Sequence, residues 1–346
     1  MRSWWGSLVL LVALVLALGA SLTFSVTVGA VDLPIGQVAR VIFPWIGGAE
    51  PPVDPSTQTI VWELRLPRGL MAIIVGAGLA LAGVTMQTLV RNPLADPYLL
   101  GISSGASVGA TAVMTTSVLT GLGVYALSGG ALLGALAATA TVYAVTMLQG
   151  GITPIRLILS GVVLSAAFSA LASLLVFKAA DPRAARSVMF WMLGSVSGAQ
   201  WNQIGLPLGA VLVCGVLLMV LSRRMDALAS GPDTAATLGV QVGALRKALF
   251  FLQATLVGAM VAVAGGIGFV GLVIPHLARI LVGALHVRLL PVAAAMGALF
   301  LLWVDVASRV IAPPEEIPLG VVTGLIGAPL FLFLLGRKTY RFGGEA

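Results

Sequence analysis

Charged residues are scarce in this chain, and their scarcity excludes a water-soluble protein. Only 9% of the 346 residues are charged and 59% are hydrophobic, whereas a soluble domain has about 25% charged residues. Because no soluble fold hides that much apolar surface, most of the chain must lie in lipid. The one cysteine, Cys214, further excludes an internal disulfide framework and a thiolate metal cluster.

Residues that could support catalysis are also few. His276 and His286 are the two histidines, and their separation is not ligand spacing on one helical face, so we interpret each as a packing or helix-end residue. Ser160, Ser165 and Ser169 resemble a small-residue packing face more than a catalytic row. The three lysines occur in FKA, RKA and GRKT, so the phosphate-binding loop G-x-x-x-x-G-K-[ST] is absent. We expect no catalytic residue, metal site or cofactor in this chain; if ATP drives it, ATP and Mg²⁺ bind to another chain.

Apolar runs long enough to cross a bilayer, about 20 residues each, fill the rest of the chain. The ten runs lie near residues 5–30, 67–90, 98–118, 122–148, 155–177, 202–221, 246–265, 271–285, 290–311 and 319–336. The first is too long for a cleaved signal peptide, so we expect it to be retained. The eighth would be only about 22 Å long as a helix, and we expect it to be tilted, broken or partly buried. The sequence predicts an all-α, polytopic membrane protein with a single transmembrane domain over residues 1–346.

Basic residues indicate how the chain is oriented. With the N-terminus in the cytoplasm, twelve of the 19 Lys and Arg residues fall inside: Arg2, Arg91, Arg156, Arg223, Arg224, Arg246, Lys247, Arg279, Arg288, Arg337, Lys338 and Arg341. The positive-inside rule therefore predicts that both termini are cytoplasmic. Long outer segments then lie at about 31–62 and 178–201, and a cytoplasmic loop at about 222–245. The net charge of +7 indicates contact with anionic lipid rather than nucleic acid.

A weak internal repeat accompanies the ten runs. Shifting the sequence by 182 residues matches nine of 27 positions, including Pro93 on Pro275 and Gly101 on Gly283. The two copies would begin at spans 2 and 7 and cross the membrane in opposite senses, which is an inverted repeat of spans 2–5 and 7–10. In transporters the path lies at such a repeat interface. Coincidence in an Ala-rich and Gly-rich chain remains the alternative.

Asp305 is the one candidate for an intramembrane carboxylate that could carry protons or sodium. It stands four residues before Arg309 on the same predicted helix, and we favour an i,i+4 ion pair near the outer end. An ion-coupled secondary transporter of a small organic solute therefore remains an alternative function, and a purely structural membrane subunit is a third.

The cytoplasmic loop between spans 6 and 7 is predicted to hold a short helix. After Gly231-Pro232, the side chain of Asp233 would cap it, Thr234 to Leu238 would form about a turn and a half, and Gly239 would end it. Such a helix suits contact with a partner protein. An amphipathic linker lying on the membrane surface is the alternative.

Four stretches together resemble the FecCD family of permeases. They are RLPRGLMAIIVGAGLALAGVTMQTLVRNPLADPYLLGISSGASVGA at 65–110, FWMLGSVSGAQW at 190–201, DTAATLGVQVGALRK at 233–247, and GGIGFVGLVIPHLARILVG at 265–283 with PLGVVTGLIGAPLFLFLL at 318–335. The resemblance covers nearly all of the chain from residue 60 onward.

The resemblance implies the permease of an ATP-driven type II importer in the inner membrane of a prokaryote. Its expected partners are a second permease copy in a homodimer, two ATP-binding subunits, and a periplasmic or lipoprotein substrate-binding protein. The implied ATPase-coupling residues are Asp233, Thr234, Ala235, Thr237, Leu238 and Gly239. The implied cytoplasmic gate residues are Asn92, Leu94, Thr153, Pro154 and Ile155.

The outer face carries further implied contacts. By resemblance, Arg65, Arg68 and Arg309 would receive acidic residues of the binding protein, although internal ion pairs and anchoring in the lipid interface are alternatives for each. Arg183 and Arg186 precede FWMLGS and are possible outer substrate contacts. The apolar turn at Thr153 to Ile155 departs from the hydroxyl-rich version of the cobalamin permease, so the expected cargo is an iron chelate, either a siderophore complex or haem.

Overall fold

The computed structural model describes residues 4–29, 32–43, 53–116, 118–179 and 181–336, and within these ranges it contains helices and no strand. The predicted positions Arg2, Arg337, Lys338 and Arg341 lie outside the described residues, as do residues 31 and 44–52 of the first outer segment. The helices are α1 (Trp4–Thr27), α2 (Ile35–Ile42), α3 (Pro55–Thr59), α4 (Leu66–Val90), α5 (Ile102–Thr116), α6 (Ala126–Leu148), α7 (Pro154–Phe177), α8 (Pro182–Met192), α9 (Trp201–Ser230), α10 (Pro232–Thr237), α11 (Val242–Ala264), α12 (Val270–Val282), α13 (His286–Val310) and α14 (Leu319–Gly336).

Seven helical segments in the described part of the chain are long and apolar enough to cross a membrane. They contain α1, α4, α6, α7, α9, α11 and α13. The remaining predicted spans, the third, eighth and tenth, correspond to the shorter helices α5, α12 and α14. The expectation for the eighth run is confirmed, because α12 has 13 residues, about 20 Å of helix, and is mostly buried.

The centre of the molecule is α4, which is buried along almost its whole length. Two glycine pairs let its backbone touch neighbouring helices. A Cβ atom on Gly76 would lie 2.2 Å from the carbonyl oxygen of Gly297 on α13, and one on Gly83 would lie 1.9 Å from that of Gly271 on α12. Any larger residue would force these helices apart, so the small side chains set the packing distance.

The periphery of the molecule has the opposite character. Helices α1, α7 and α9 leave most of their apolar side chains exposed, among them Trp5, Val163 and Val220. An apolar helix surface of this extent needs lipid or another apolar helix as its neighbour. The structure is thus a polytopic membrane protein with a glycine-packed centre and an apolar outer surface.

Both outer segments contain helices that the sequence analysis did not assign. The first holds α2 and α3, with α3 running through a π-helical turn, Ile60–Arg65, into α4; the second holds α8. The side chains of Asp54 and Asp181 accept hydrogen bonds from backbone N–H groups at the starts of α3 and α8, and a proline follows each aspartate. A cap followed by proline at the first helical position is a readable start signal.

The residue pairs behind the internal repeat are only partly equivalent in position. The matches from Val75 to Ala82 and their counterparts from Val257 to Ala264 lie inside α4 and α11. Farther along the chain, Pro93 lies in a turn, whereas Pro275 lies inside α12. The order of packing is similar in the two halves, because α5 contacts α6 and α7 while α12 contacts α13 and α14, and the inverted repeat stays a prediction.

Candidate gate, coupling and docking surfaces

The turn after α4 presents a leucine at the end of the bundle that the positive-inside rule predicts to be cytoplasmic. This end is called the inner end below, and the opposite end is called the outer end. Arg91 ends the helix in the left-handed conformation, and the N–H of Asn92 donates to Gln87 O at 3.1 Å, which is a standard helix termination. The side-chain Oδ1 of Asn92 then accepts the N–H of Leu94 at 2.9 Å. Asn92 therefore shapes the turn, and Leu94 is left exposed.

The second predicted gate element begins α7. The hydroxyl of Thr153 accepts the N–H of Arg156 at 3.4 Å and caps the helix, and Pro154 takes the first helical position. Ile155 is exposed. Of the five predicted gate residues, Asn92, Thr153 and Pro154 thus have local structural roles, while Leu94 and Ile155 offer apolar side chains to a neighbour.

Between these elements the backbone re-enters the bundle without forming an α-helix. The Tyr98 hydroxyl donates to Ile267 O and accepts the Ile267 N–H, both at 3.1 Å. Gln253, fully buried near the middle of α11, donates to Pro97 O at 2.7 Å. The N–H and C=O groups of irregular backbone inside a membrane protein need hydrogen-bond partners from the protein. The side chains of Tyr98 and Gln253 provide such partners.

Sequence reasoning missed Tyr98 and Gln253, although a glutamine within an apolar run is a usable signal. Nearby, the Asp96 carboxylate caps the short 3-10 turn Pro97–Leu100 by accepting the Tyr98 N–H at 2.7 Å. Burial raises the pKa of Asp96, and the hydrogen bond from Tyr98 N–H partly opposes that rise.

The predicted short helix of the cytoplasmic loop is present as α10, but the predicted cap is wrong. Gly231, not Asp233, is the N-cap residue, and no side chain caps the helix. Proline 232 takes the first helical position, so Asp233 falls inside the first turn, where its negative charge favours the helix N-terminus. Gly239 follows the helix with φ of +79°, as expected of a terminator.

The surface of α10 has one anchored and one free apolar residue. Ala235 is fully buried and its N–H donates to Gly231 O at 2.9 Å. Leu238, at the C-cap, is 67% exposed. The hydroxyl of Thr237 donates to Thr234 O at 2.9 Å within the helix. An exposed leucine on a short, firmly held helix suits insertion into a cleft of another protein.

Behind α10, a polar cluster joins three helices. Asp226 on α9 accepts hydrogen bonds from the backbone N–H and the ring Nδ1 of His286 at 2.9 and 2.6 Å. The hydroxyl of Thr88 lies 2.7 Å from His286 Nε2 and donates its own hydrogen to Val84 O at 2.9 Å. From the start of α13, His286 therefore contacts both α9 and α4. His286 is a helix-end residue, as predicted.

The outer end holds a buried cluster of charges. Arg68 Nε donates to Asp305 Oδ1 at 2.8 Å, and Arg68 Nη1 donates to Glu316 Oε1 at 2.8 Å. Arg309 Nη2 lies 3.1 Å from Asp305 Oδ2, which confirms the predicted i,i+4 pair. The side chain of Asp305 is fully buried. These four residues, Arg68, Asp305, Arg309 and Glu316, are called the outer charge cluster below.

The other predicted outer residues have different surroundings. Arg65 Nη1 donates to the carbonyl oxygens of Val26 and Thr27 at 2.8 and 3.0 Å, tying α4 to the end of α1. Arg183 and Arg186 are exposed on α8, which packs against α5 and α7. The three predicted docking arginines therefore all have internal partners, and their docking role stays a prediction.

The structure places the predicted residues in two groups at opposite ends of the bundle. The gate and coupling residues lie at one end of the bundle, predicted to be cytoplasmic, and the arginines lie at the opposite end, as the helix order requires. Sequence reasoning did not find Glu316 or Asp226 as partners, because each is separated from the residue that it binds by many positions: 248 for Arg68 and Glu316, and 60 for Asp226 and His286.

Comparison with known proteins gives consistent matches over most of the chain. The model of the FecCD transport family matches residues 13–337. The molybdate import system permease protein MolB of Haemophilus influenzae is 37% identical over 322 residues, covering 93% of this chain and 94% of the relative. The hemin transport system permease protein HmuU of Yersinia pestis is 39% identical over 297 residues, covering 84% of this chain and 88% of the relative.

A solved structure is similar over the same extent. It is an inward-facing ABC transporter assigned to the metal-chelate type, with a TM-score of 0.82 and 36% sequence identity. The match covers 94% of this chain and 98% of that one.

Proposed function

The chain belongs to the FecCD transport family, and from that premise we propose that it forms the membrane path for an iron chelate, either a ferric siderophore or haem. It is a multi-pass permease subunit of an ABC importer. The observation that carries the proposal is the match to importer permeases over most of the chain, combined with the exposed coupling helix α10 at the inner end. A hemin permease among the relatives supports the haem class.

We propose that ATP and Mg²⁺ bind to two separate ATP-binding subunits, since this sequence has no phosphate-binding loop. A second permease copy would complete the path, and a substrate-binding protein would deliver the cargo from outside. The chain would lie in the inner membrane of a prokaryote with both termini in the cytoplasm. The larger number of basic residues at the inner end supports this orientation.

In this proposal, α10 receives the movement of an ATP-binding subunit. The helix α10 follows α9 directly. Asp226 on α9 contacts His286 at the start of α13, and His286 contacts Thr88 near the end of α4. Thr88 lies three residues before Arg91, where the gate turn begins. A push on α10 therefore has a short, hydrogen-bonded route to Leu94.

The coupling role is tested by Leu238→Asp in proteoliposomes that contain the permease and its ATP-binding subunits. Because Leu238 is exposed, the variant should fold, yet transport should fall at least about ten-fold, since a charge cannot enter an apolar cleft. Leu64→Asp, an equally exposed leucine at the outer end, is the control and should leave coupling intact. Normal ATP-driven transport in Leu238→Asp would refute the role of α10.

The gate role is tested by Leu94→Cys in a chain whose buried Cys214 is replaced by alanine. If Leu94 from two copies closes the path, cross-linking between copies should differ between the nucleotide-free and ATP-bound states. Ile155→Cys gives a second probe from α7. Equal cross-linking in both states would identify Leu94 as a static contact.

The cargo is tested by comparing uptake of haemin, a ferric siderophore, cobalamin and molybdate, each with its binding protein and ATP. Uptake driven by a proton gradient without ATP would instead support a secondary transporter. The structure disfavours that function, because Asp305 is buried and held by two arginines, so its carboxylate already has partners inside the protein.

A further inference from the structure

The outer charge cluster contains two carboxylates with different exposure. Asp305 is fully buried, and its two oxygens are taken by Arg68 and Arg309. The side chain of Glu316 is 43% exposed, and its ion pair is with Arg68 Nη1. One end of the Arg68 guanidinium thus faces the interior, and the other end holds a carboxylate at the surface.

Glu316 lies on the connection between α13 and α14, and its neighbours fix the backbone there. Ile317 N–H donates to Ser308 O, and Glu315 N–H donates to Ala312 O, both at 3.0 Å. The side chain of Glu316 therefore has freedom that its backbone lacks. A side-chain rotation would release the Arg68 Nη1 group without moving either helix.

A cavity of about 310 Å³ adjoins this ion pair and is lined by Arg68, Trp191, Ser197, Ser308 and Glu316, among others. It is large enough to accept an incoming acidic side chain. The Ser197 hydroxyl accepts a hydrogen bond from Ser195 at 2.9 Å and can donate its own hydrogen to a carboxylate. The cavity therefore offers a second carboxylate a place beside Arg68.

We propose that Glu316 occupies the place beside Arg68 at which a carboxylate of the substrate-binding protein docks. On docking, an acidic side chain of that partner replaces Glu316 as the group bound to Arg68 Nη1. The inference rests on the proposed function and adds a step to it. The partner surface that fits is an acidic protrusion, because the released Arg68 group is a guanidinium, which holds carboxylates with charge-assisted hydrogen bonds.

The exchange explains how Arg68, although buried, can bind an acidic side chain of the partner and release it again. A free guanidinium at this site would bear an uncompensated charge next to apolar helices, which is costly. Glu316 removes that cost before docking and after release. Since one carboxylate replaces another, the net gain on docking is small, and the partner can leave after delivery.

The test compares Glu316→Gln with Glu315→Gln. Both variants remove one negative charge from the same exposed connection, but only the first removes the carboxylate bound to Arg68. The full transporter in nanodiscs is immobilised, and association and dissociation of its binding protein are measured at low and high salt. Thermal unfolding of both variants is measured alongside.

We expect Glu316→Gln to bind the partner at least about three-fold more tightly than Glu315→Gln, because no internal carboxylate competes for Arg68. Glu316→Asp, which keeps the charge on a shorter side chain, should fall between wild type and Glu316→Gln. Equal affinities for Glu316→Gln and Glu315→Gln would overturn the exchange while leaving docking intact. Failure of the wild-type transporter to bind any binding protein would instead overturn the proposed function.

Discussion

The two ends of the bundle treat their arginines differently. At the outer end, Arg68 and Arg309 pair with buried or half-buried carboxylates. At the inner end, Arg279 bonds to the side-chain oxygen of Gln87 at 3.0 Å, and Arg246 bonds to the carbonyl oxygen of Ile152 at 3.3 Å. These two inner partners carry no charge.

The difference indicates that the same residue type serves two purposes. Inner cations that keep their charge favour the cytoplasmic side and the anionic headgroups found there. Arg68 and Arg309 go against that rule, and their charges are compensated inside the protein. The outer charge cluster therefore joins its helices through ion pairs, whereas Arg279 and Arg246 bond to neutral groups.

Breaking the outer charge cluster should have the largest effect on stability. Asp305→Asn leaves two buried guanidinium groups without their shared carboxylate, and we expect a loss of about 3–5 kcal/mol in the free energy of unfolding. Glu63→Gln removes an exposed carboxylate from the same end and should have little effect. Thermal unfolding of the purified protein measures both. Exposed ion pairs contribute about 1 kcal/mol or less. A loss no larger than that in Asp305→Asn would mean that the outer charge cluster contributes no more to stability than exposed ion pairs do.

At the inner end, loss of the contact between Asp226 and His286 should have the next largest effect. Asp226→Asn keeps an acceptor for His286 but removes the charge, so we expect a loss of about 1.5–3 kcal/mol. If the contacts among Asp226, His286 and Thr88 transmit movement from α10, the ATPase activity of Asp226→Asn should also become less dependent on the binding protein. Asp233→Asn, which removes one negative charge from α10 itself, is the control. It distinguishes the loss of the contact with His286 from the loss of a negative charge in this region. Unchanged stability would show that the charge of Asp226 does not contribute to its contact with His286.

A smaller effect is expected at the end of the coupling helix. Gly239 adopts φ of +79° and no atom lies within 4 Å of the site of an added Cβ. Gly239→Ala should therefore cost about 1 kcal/mol through backbone conformation alone. Gly243→Ala, inside α11 with equally open space, should be neutral or stabilising. Thermal unfolding of the two variants measures the difference, and equal midpoints would contradict the conformational argument.

The smallest stability effect should follow changes of the exposed outer arginines. Arg183→Gln and Arg186→Gln remove charges that face solvent, so the free energy of unfolding should change by less than about 0.5 kcal/mol. If these residues meet an anionic cargo, the rate of uptake should still fall, and more so at low salt. Uptake at full rate in the double variant would leave them without a role in transport.

Patterns local in the sequence predicted a large part of the fold. Hydropathy located the spans, i,i+4 spacing located the Asp305 and Arg309 pair, and glycine placement located the end of α10. The predicted cap of α10 is wrong because Pro232 takes the first helical position, which places Asp233 inside the first turn. The helices α2, α3 and α8 are too short to give a hydropathy signal, although Asp54 and Asp181 mark the starts of two of them.

Contacts between distant segments could not be predicted in the same way. Tyr98 and Ile267 are 169 residues apart, and Arg68 and Glu316 are 248 apart. Which of many polar residues meet depends on how the helices pack, and the packing depends on glycine contacts spread over the whole chain. The gate and coupling residues came from resemblance to a family, and their roles stay predictions.

The glycine contacts of α4 have a mechanical consequence. Where Gly76 meets Gly297 and Gly83 meets Gly271, the helices touch through backbone atoms, so at these two points no long side chains interlock. Backbone contacts of this kind permit shear, which is the small sliding of packed helices past each other. A transport cycle could therefore shift α12 and α13 lengthwise against α4 at low cost, while sideways separation remains opposed by their close packing.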